Sequence, residues 1–238
     1  MKYSIILIAI IIVFFSCNKK DSSPATPAEK PLAIASYDNS NYGIYKGVFI
    51  GSTGNVVINV NNDNTLNAVL KIDGTTATYT STQTIVQNQA STINFVSGSN
   101  SFTFSVAATG GNPVISNINI AGHPAAGMSV LKEKSDSLVK CYEGTFTGGS
   151  TGTFNMEIKN NLMNGLYNEV GATNPPPKMN GTITNNQLTA SAPTDPQPGQ
   201  CNYAGTTISG TISANGQTIS GTYSNCYGSG TWTGTRTK

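Results

Sequence analysis

Apolar and polar residues alternate along most of this chain from about residue 43 onward. In the second half, large apolar residues repeatedly stand two positions either side of a glycine or another small residue. Side chains two apart lie on the same face of a strand, and Ser, Thr and Asn fill the positions between. This pattern predicts strands with one face in a core and the other in water. It predicts eight of them, centred on Gly144, Met156, Gly165, Gly181, Ala190, Gly210, Gly221 and Trp232.

Short polar links separate these strands. Asn160-Asn161, Asn185-Asn186 and Asn215-Gly216 stand between consecutive alternating segments. Asn-Gly is the strongest two-residue signal for a hairpin. Eight strands joined by short hairpins predict an up-and-down antiparallel sheet that curls on itself. We expect the central glycines to let these strands bend enough to close a small barrel.

The two halves of the chain are related. The segment YKGVFIGSTGNVVINV from Tyr45 returns about 97 residues later as YEGTFTGGSTGTFNMEI from Tyr142. Such a repeat predicts two similar β-units, although one larger sandwich built from two halves remains open. We therefore predict an all-β fold of two tandem antiparallel meander units, barrel or sandwich, with about eight strands each. The units are predicted over residues 41–135 and 140–238. In the first unit, alternation predicts strands near Ile58, Ala68, Phe95, Phe104, Ile118 and Val130.

The first 40 residues show a different pattern. Lys2 precedes a continuous apolar run from Ile5 to Phe15, which ends at Ser16 and Cys17. A positive start, about a dozen apolar residues and a small residue are typical of a secretory signal. The run is shorter than the roughly 20 residues that a spanning helix needs. We predict a signal peptide over residues 1–16, and a proline-containing flexible tether over residues 17–40.

The junction Phe14-Phe15-Ser16-Cys17 resembles the box of bacterial lipoproteins, with Phe where that family usually has an aliphatic and a small residue. The resemblance implies acyl chains, palmitate among them, on Cys17. Asn18 after the cysteine, in place of Asp, implies sorting to the outer membrane, on its periplasmic or cell-surface side. Two or more acyl chains give stable anchoring where one does not. An ordinary signal peptide with a chance cysteine, or an uncleaved anchor helix, remains the alternative.

Charge is sparse. Charged residues make up 10% of the chain, against about 25% in average domains, and the net charge is +2. Arg236 is the only arginine, and the sequence has no basic stripe to neutralise a phosphate backbone. This composition argues against nucleic-acid binding.

Besides Cys17, the chain contains Cys141, Cys201 and Cys226, so any one disulfide among these three leaves one of them as a free thiol. We favour a disulfide between Cys201 and Cys226, which flank one hairpin, with Cys141 free. Closing that loop would stabilise the fold by about 3 kcal/mol in the chain-entropy model. Three free thiols are the alternative. Metal binding is not expected, because His123 is the only histidine and no Cys-x-x-Cys pair exists.

Catalytic chemistry has little support in the sequence. His123 lies in a turn-like Ala-Gly-His-Pro segment and is expected at the surface, and no Gly-x-Ser-x-Gly elbow is present. Glu143 and Glu157 alternate with core positions and are predicted to face water, while Glu169 could approach them. We therefore predict no catalytic, cofactor-binding or metal-binding residues and no enzyme.

The opening Gly144-Thr145-Phe146 strand and the hairpin meander resemble the calycin group, which includes lipocalins and avidins. The lipocalin Gly-x-Trp has its match only on the last strand, at Gly230-Thr231-Trp232, so the resemblance implies architecture alone. Small barrels are either filled by side chains or hold one small ligand. Space beside the glycines makes Tyr167, Tyr223 and Trp232 the candidate cavity residues. Two proline-rich loops, over residues 171–181 and 191–201, form a second candidate surface.

These observations predict an outer-membrane lipoprotein that is a non-catalytic binding module at the cell envelope. Its expected partners are the membrane, through the N-terminal lipid, and a glycan, a small apolar molecule or an envelope protein. A structural or accessory subunit of a surface complex is the alternative, followed by a small hydrolase or an inhibitor of one.

Overall fold

The computed structural model describes residues 27–171, 176–193 and 205–238. These residues form sixteen strands in two antiparallel sheets of eight, which confirms the predicted fold class. The first sheet contains β1 Gly43–Ile50, β2 Gly54–Val60, β3 Leu66–Ile72, β4 Thr75–Thr80, β5 Ser91–Ser97, β6 Asn100–Val106, β7 Val114–Asn119 and β8 Gly127–Lys132. The second contains β9 Val139–Gly148, β10 Gly152–Lys159, β11 Leu162–Glu169, β12 Lys178–Thr184, β13 Gln187–Ala192, β14 Thr206–Ile212, β15 Thr218–Asn225 and β16 Gly228–Arg236.

The second sheet is a closed barrel. Its strands follow one another in chain order, and β16 pairs with β9, where Trp232 lies opposite Phe146. The predicted turns are tight, with Asn160, Asn185 and Asn186 at φ values of 55°, 51° and 62°. Asparagine tolerates this left-handed region better than other side chains, which explains its use at these links.

The first sheet is curled but not closed by hydrogen bonds. Its strand order is β7-β6-β5-β4-β3-β2-β1-β8, so β7 and β8 are its two edges. The ladder is weakest between β4 and β5, where Thr80 and Val96 form the one registered pair. Its interior is nevertheless well filled, because Tyr45, Phe49 and Phe104 are completely buried with other aromatic residues around them.

The two sheets pack against each other through the outer faces of β1 and β10. All eight residues of β1 are buried, because one face of the strand covers the core of the first sheet and the other face packs against the barrel of the second sheet. The halves are therefore two separate sheets in contact and do not form one continuous sandwich. Between them lies a small apolar cluster of Val48, Ile50, Val139, Cys141 and Leu166.

A buried ion pair of the first unit is linked to the second unit by a hydrogen bond. Lys46 Nζ lies 2.6 Å from Glu133 Oε2, and both side chains are almost completely buried. Glu133 also accepts hydrogen bonds from the backbone N–H groups of Val139 at 3.1 Å and Leu32 at 2.7 Å. These extra donors offset the cost of burying the carboxylate. Glu133, near the end of the first predicted unit, thus forms a polar centre that ties together both sheets and the preceding segment.

The central glycines make room for aromatic rings. A Cβ added to Gly210 would lie 2.3 Å from the Trp232 ring, and one added to Gly144 would lie 2.5 Å from the Phe154 ring. The rings themselves therefore occupy the space over these glycines, in agreement with the alternative in which side chains fill the interior of a small barrel.

Candidate functional site

The three predicted cavity residues lie together. Tyr167, Tyr223 and Trp232 line one apolar cavity in the second barrel, at the end where β9 ends and β10 begins. The ring of Phe146 contacts the Tyr223 ring edge-to-face at 5.7 Å and the Tyr167 ring at 6.1 Å. These contacts are typical of a well-packed aromatic cluster. The predicted residues therefore converge, although around a narrow space.

Two hydroxyl groups make this end of the barrel partly polar. Tyr223 Oη donates to the backbone carbonyl of Ser150 at 2.7 Å and accepts from the Ser150 N–H at 2.9 Å. The Ser150 Oγ atom is buried and has no hydrogen-bond partner. The Trp232 indole N–H donates to the Thr222 carbonyl at 3.1 Å. The Tyr223 hydroxyl and the Trp232 N–H are thus used internally, and the Ser150 hydroxyl beside them is buried without a partner.

The size of the cavity limits what it can hold. Its volume is about 40 Å³. A buried water needs roughly 10–15 Å³ by this measure, so the cavity has room for about three waters. Typical small-molecule sites measure about 300–1,000 Å³. The barrel interior is thus mostly filled by side chains, and a carrier function for a larger apolar ligand has no support in its geometry.

A larger concave surface lies on the outside of the same barrel, across β12 to β16. We call it the hydroxyl groove, and its volume is about 570 Å³. Its nine exposed side chains are all hydroxyl or amide groups: Asn180, Thr182, Thr189, Ser191, Thr207, Ser209, Thr222, Ser224 and Ser229. No charged residue is among those lining it in the described part of the chain. The sequence suggested only that these positions face water.

Strand register arranges these side chains in rows. Thr182 pairs with Thr189, Thr189 with Ser209, and Ser209 with Thr222, so one row crosses four strands. Neighbouring strands are about 4.8 Å apart, and residues two apart along a strand are separated by roughly 6.6 Å. The groove therefore presents a grid of hydroxyl groups, with Ser209 Oγ and Thr222 Oγ1 3.2 Å apart at its centre.

A third cavity opens at the other end of the second barrel. Its volume is about 380 Å³, and Ile158, Ile183 and Ile212 contribute apolar surface to it. Lys140 and Gly216 also line it, and a Cβ added to Gly216 would lie 3.5 Å from Lys140 Nζ. This cavity is mixed in character and was not anticipated from the sequence.

The prediction that Glu157 faces water is wrong. Its side chain is completely buried between the two sheets, where Oε1 accepts a hydrogen bond from Ser129 Oγ at 2.6 Å. Burial raises its pKa to about 8, while hydrogen bonds from Ser129 and Asn164 act in the opposite direction. The alternation of apolar and polar residues in β10 predicts that its outer face is exposed to water, yet the first sheet covers this face. Glu143 on β9 is only partly buried and accepts a hydrogen bond from Asn55 Nδ2 at 3.2 Å.

His123 is less exposed than a surface turn implies. Its side chain is 17% exposed and packs edge-to-face on Phe49, with ring centroids 5.4 Å apart. Its Nε2 atom lies 3.6 Å from Asp73 Oδ2. The described ranges contain no group of three or more His, Cys, Asp or Glu residues that could hold a metal ion.

The cysteines differ in state. Cys141 is free and buried, and burial raises the pKa of its thiol. Cys226 is disulfide-bonded. Its predicted partner Cys201 lies outside the described residues, so that pairing remains a prediction. Cys17 and most of the loop over residues 191–201 also lie outside them, as do residues 172–175 of the other proline-rich loop.

Comparison with protein-family models, with curated proteins and with solved structures gave no match. Among the residues that the structure describes, none belongs to a helix long and apolar enough to span a membrane.

Proposed function

We propose that this protein is a lipid-anchored outer-membrane protein that binds a neutral, hydroxyl-rich polymer, a glycan, in the hydroxyl groove. The uncharged groove on β12 to β16 carries this proposal, because its volume lies within the range of ligand sites and all nine of its exposed side chains are hydroxyl or amide groups, unlike the mixed lining of the third cavity. Acyl chains on Cys17 would hold the groove close to the glycans of the envelope. Binding requires no catalytic group.

The chemistry of the groove matches a sugar surface. Each threonine presents a methyl group beside a hydroxyl, and each sugar ring presents C–H groups beside hydroxyls. A hydroxyl both donates and accepts, so it can pair with a hydroxylated ligand in either direction. A charged ligand would find no counter-ion among the described lining residues. The groove is therefore suited to a neutral ligand.

Rigidity of the groove favours binding by many weak contacts. Threonine is β-branched and has few χ1 states, and the hydroxyl rows are fixed by strand pairing in a closed barrel. Little side-chain entropy is lost when such groups bind. An extended chain that crosses four strands would gain several hydrogen bonds at once.

The binding proposal is tested by affinity electrophoresis of the purified protein in gels that contain dextran, laminarin or soluble mannan. We expect retardation by at least one of them. The double variant Thr189→Val, Thr222→Val removes two hydroxyls on either side of Ser209 while keeping side-chain shape. Each lost hydrogen bond is worth about 0.5–1.5 kcal/mol, so affinity should fall by about 2- to 10-fold per site.

A matched control uses the same change elsewhere on the barrel. Thr145 and Thr233 pair with each other on β9 and β16, are exposed, and lie outside the groove. The double variant Thr145→Val, Thr233→Val should bind as the unsubstituted protein does. Equal loss in both double variants, or no retardation by any of the three polymers, would refute the groove as a glycan site.

Anchoring is tested separately by growing the producing cells with an alkynyl palmitate analogue. We expect the label on the full chain and its loss in Cys17→Ala. A labelled Cys17→Ala protein would exclude this residue as the acylation site.

A further inference from the structure

One end of the molecule carries the start of the described chain. At this end β1 begins and β8 ends in the first sheet, and β9 begins and β10 ends in the second. These ends of the two sheets lie side by side, because Lys159 Nζ at the end of β10 donates to the Lys132 carbonyl at the end of β8, at 2.7 Å. We call this the anchor end.

The segment that leads to Cys17 is bound at the anchor end. Glu29 Oε1 lies 3.1 Å from Arg236 Nη1 at the end of β16, and Ile34 N donates to Asn62 in the turn between β2 and β3 at 3.1 Å. Nine residues separate Cys17 from Pro27. Even fully extended they span at most about 36 Å, so an acylated Cys17 keeps this end near the bilayer.

Apolar side chains are exposed at the same end. Leu32 and Ile34 are 59% and 45% exposed in the segment just described. Val86 is 53% exposed, and its carbonyl accepts from Asn41, two residues before β1. Leu162 is 56% exposed at the start of β11. Exposed large side chains are ordinary singly, but four at the end where the anchor enters suit contact with lipid.

Positive charge is concentrated there as well. Lys132, Lys134 and Lys159 are close enough that Lys134 lowers the pKa of both other ammonium groups, after burial as the main cause. Asp38 acts against this repulsion at both Lys132 and Lys159, and Asp136 and Glu133 do so at Lys159. Lys46 and Glu133 neutralise each other, so this cluster of four lysines and three carboxylates keeps one positive charge in excess, which a phosphate headgroup would offset.

The far end differs in charge. Asp73 lies in the turn between β3 and β4, and Glu169 ends β11, while Lys71 and Lys178 balance them. Val170 is 80% exposed beyond β11, but it has no comparable group of lysines around it among the described residues. Charge therefore distinguishes the two ends more clearly than apolar exposure does.

We propose that the anchor end lies directly against the surface of a bilayer with anionic lipids, with Leu32, Ile34, Val86 and Leu162 at the headgroup level. The 40 Å³ cavity and the far end then point away from the lipid, and the hydroxyl groove lies on the side of the barrel. This inference rests on the acylation of Cys17 in the proposed function.

The test places a fluorophore at each end of one strand. Leu162 begins β11 and Val170 follows its last residue, about 26 Å away. The acylated full chain carrying Leu162→Trp or Val170→Trp is reconstituted into vesicles of phosphatidylethanolamine and phosphatidylglycerol, with plain or brominated acyl chains. Trp232 is retained as the native tryptophan, and its emission in the unsubstituted protein is subtracted.

Brominated lipid should quench the emission of Leu162→Trp and leave that of Val170→Trp unchanged. A protein that floats with the vesicles but shows no quenching of Leu162→Trp, or equal quenching of both, overturns the orientation and leaves the anchor intact. A protein that does not float with the vesicles overturns the anchor and, with it, this inference. The two failures are thus distinguishable.

Discussion

The carboxyl group of Glu157 should make the stability of the second barrel fall as pH rises. It is completely buried between the two sheets, and its pKa is raised from an ordinary value of 4.5 to about 8. Below the lower value the carboxyl is neutral in both folded and unfolded chains, so its charge costs nothing. Above about pH 8 the folded protein must hold a buried carboxylate. In between, the folded state binds more protons than the unfolded state, so the free energy of unfolding decreases with pH.

The size of the effect follows from the shift. One pKa unit corresponds to about 1.36 kcal/mol, so the full loss is on the order of 5 kcal/mol between about pH 4.5 and pH 8. At neutral pH, about 3 kcal/mol of this loss is already present. The substitution Glu157→Gln keeps the side-chain shape and the acceptor for Ser129 Oγ but cannot ionise. The variant should therefore gain stability over the unsubstituted protein as pH rises.

The measurement is urea unfolding followed by Trp232 fluorescence, which reports on the barrel that contains Glu157. It is repeated at several values between about pH 5 and pH 9. Burial also lowers the pKa of Lys132 to about 8, but that group titrates in both proteins and cancels in the difference. Glu143→Gln on the neighbouring strand, where the side chain is only partly buried, is the control. Parallel stability curves for the unsubstituted protein and Glu157→Gln would contradict the reasoning.

Three further predictions concern cysteines and glycines. Cys141 should resist iodoacetamide in the native protein and react after unfolding, because its thiol is buried and its pKa is raised; rapid native labelling measured by mass spectrometry would contradict this. Gly221→Ala should cost about 1–3 kcal/mol in urea unfolding, because the new Cβ would lie 1.9 Å from a carbonyl oxygen of β14. Gly111→Ala, whose nearest neighbour would be 3.5 Å away, should have little effect. Peptide mapping without reductant should recover Cys201 linked to Cys226, and a peptide that links Cys226 to any other cysteine would exclude that pairing.

Alternation alone located most of the strands. All eight segments predicted in the second half lie within β9 to β16, and Asn160 and Asn185 lie in turns where they were expected. These features are local, since a period of two and a turn residue depend only on neighbours along the chain. The strand β4 was missed, because TTATYT carries Tyr79 as its one large apolar residue and its alternation is weak.

Local pattern could not show which outer faces are covered. Glu157 follows Met156 in an ordinary alternating strand, and only the packing of β1 against β10 places it away from water. The same holds for Lys46, whose partner Glu133 is 87 residues away. Burial of this kind depends on the partner sheet, which is remote in sequence.

Periodicity, repetition and turn residues are enough to predict the all-β class, the two related halves and the hairpin order of the second half. Three features follow only from packing in space: the second sheet closes while the first does not, aromatic rings fill the space over the glycines, and hydroxyl side chains from neighbouring strands form one groove. These outcomes depend on the volumes that meet in three dimensions and on strand register, which bring together residues that no local pattern connects.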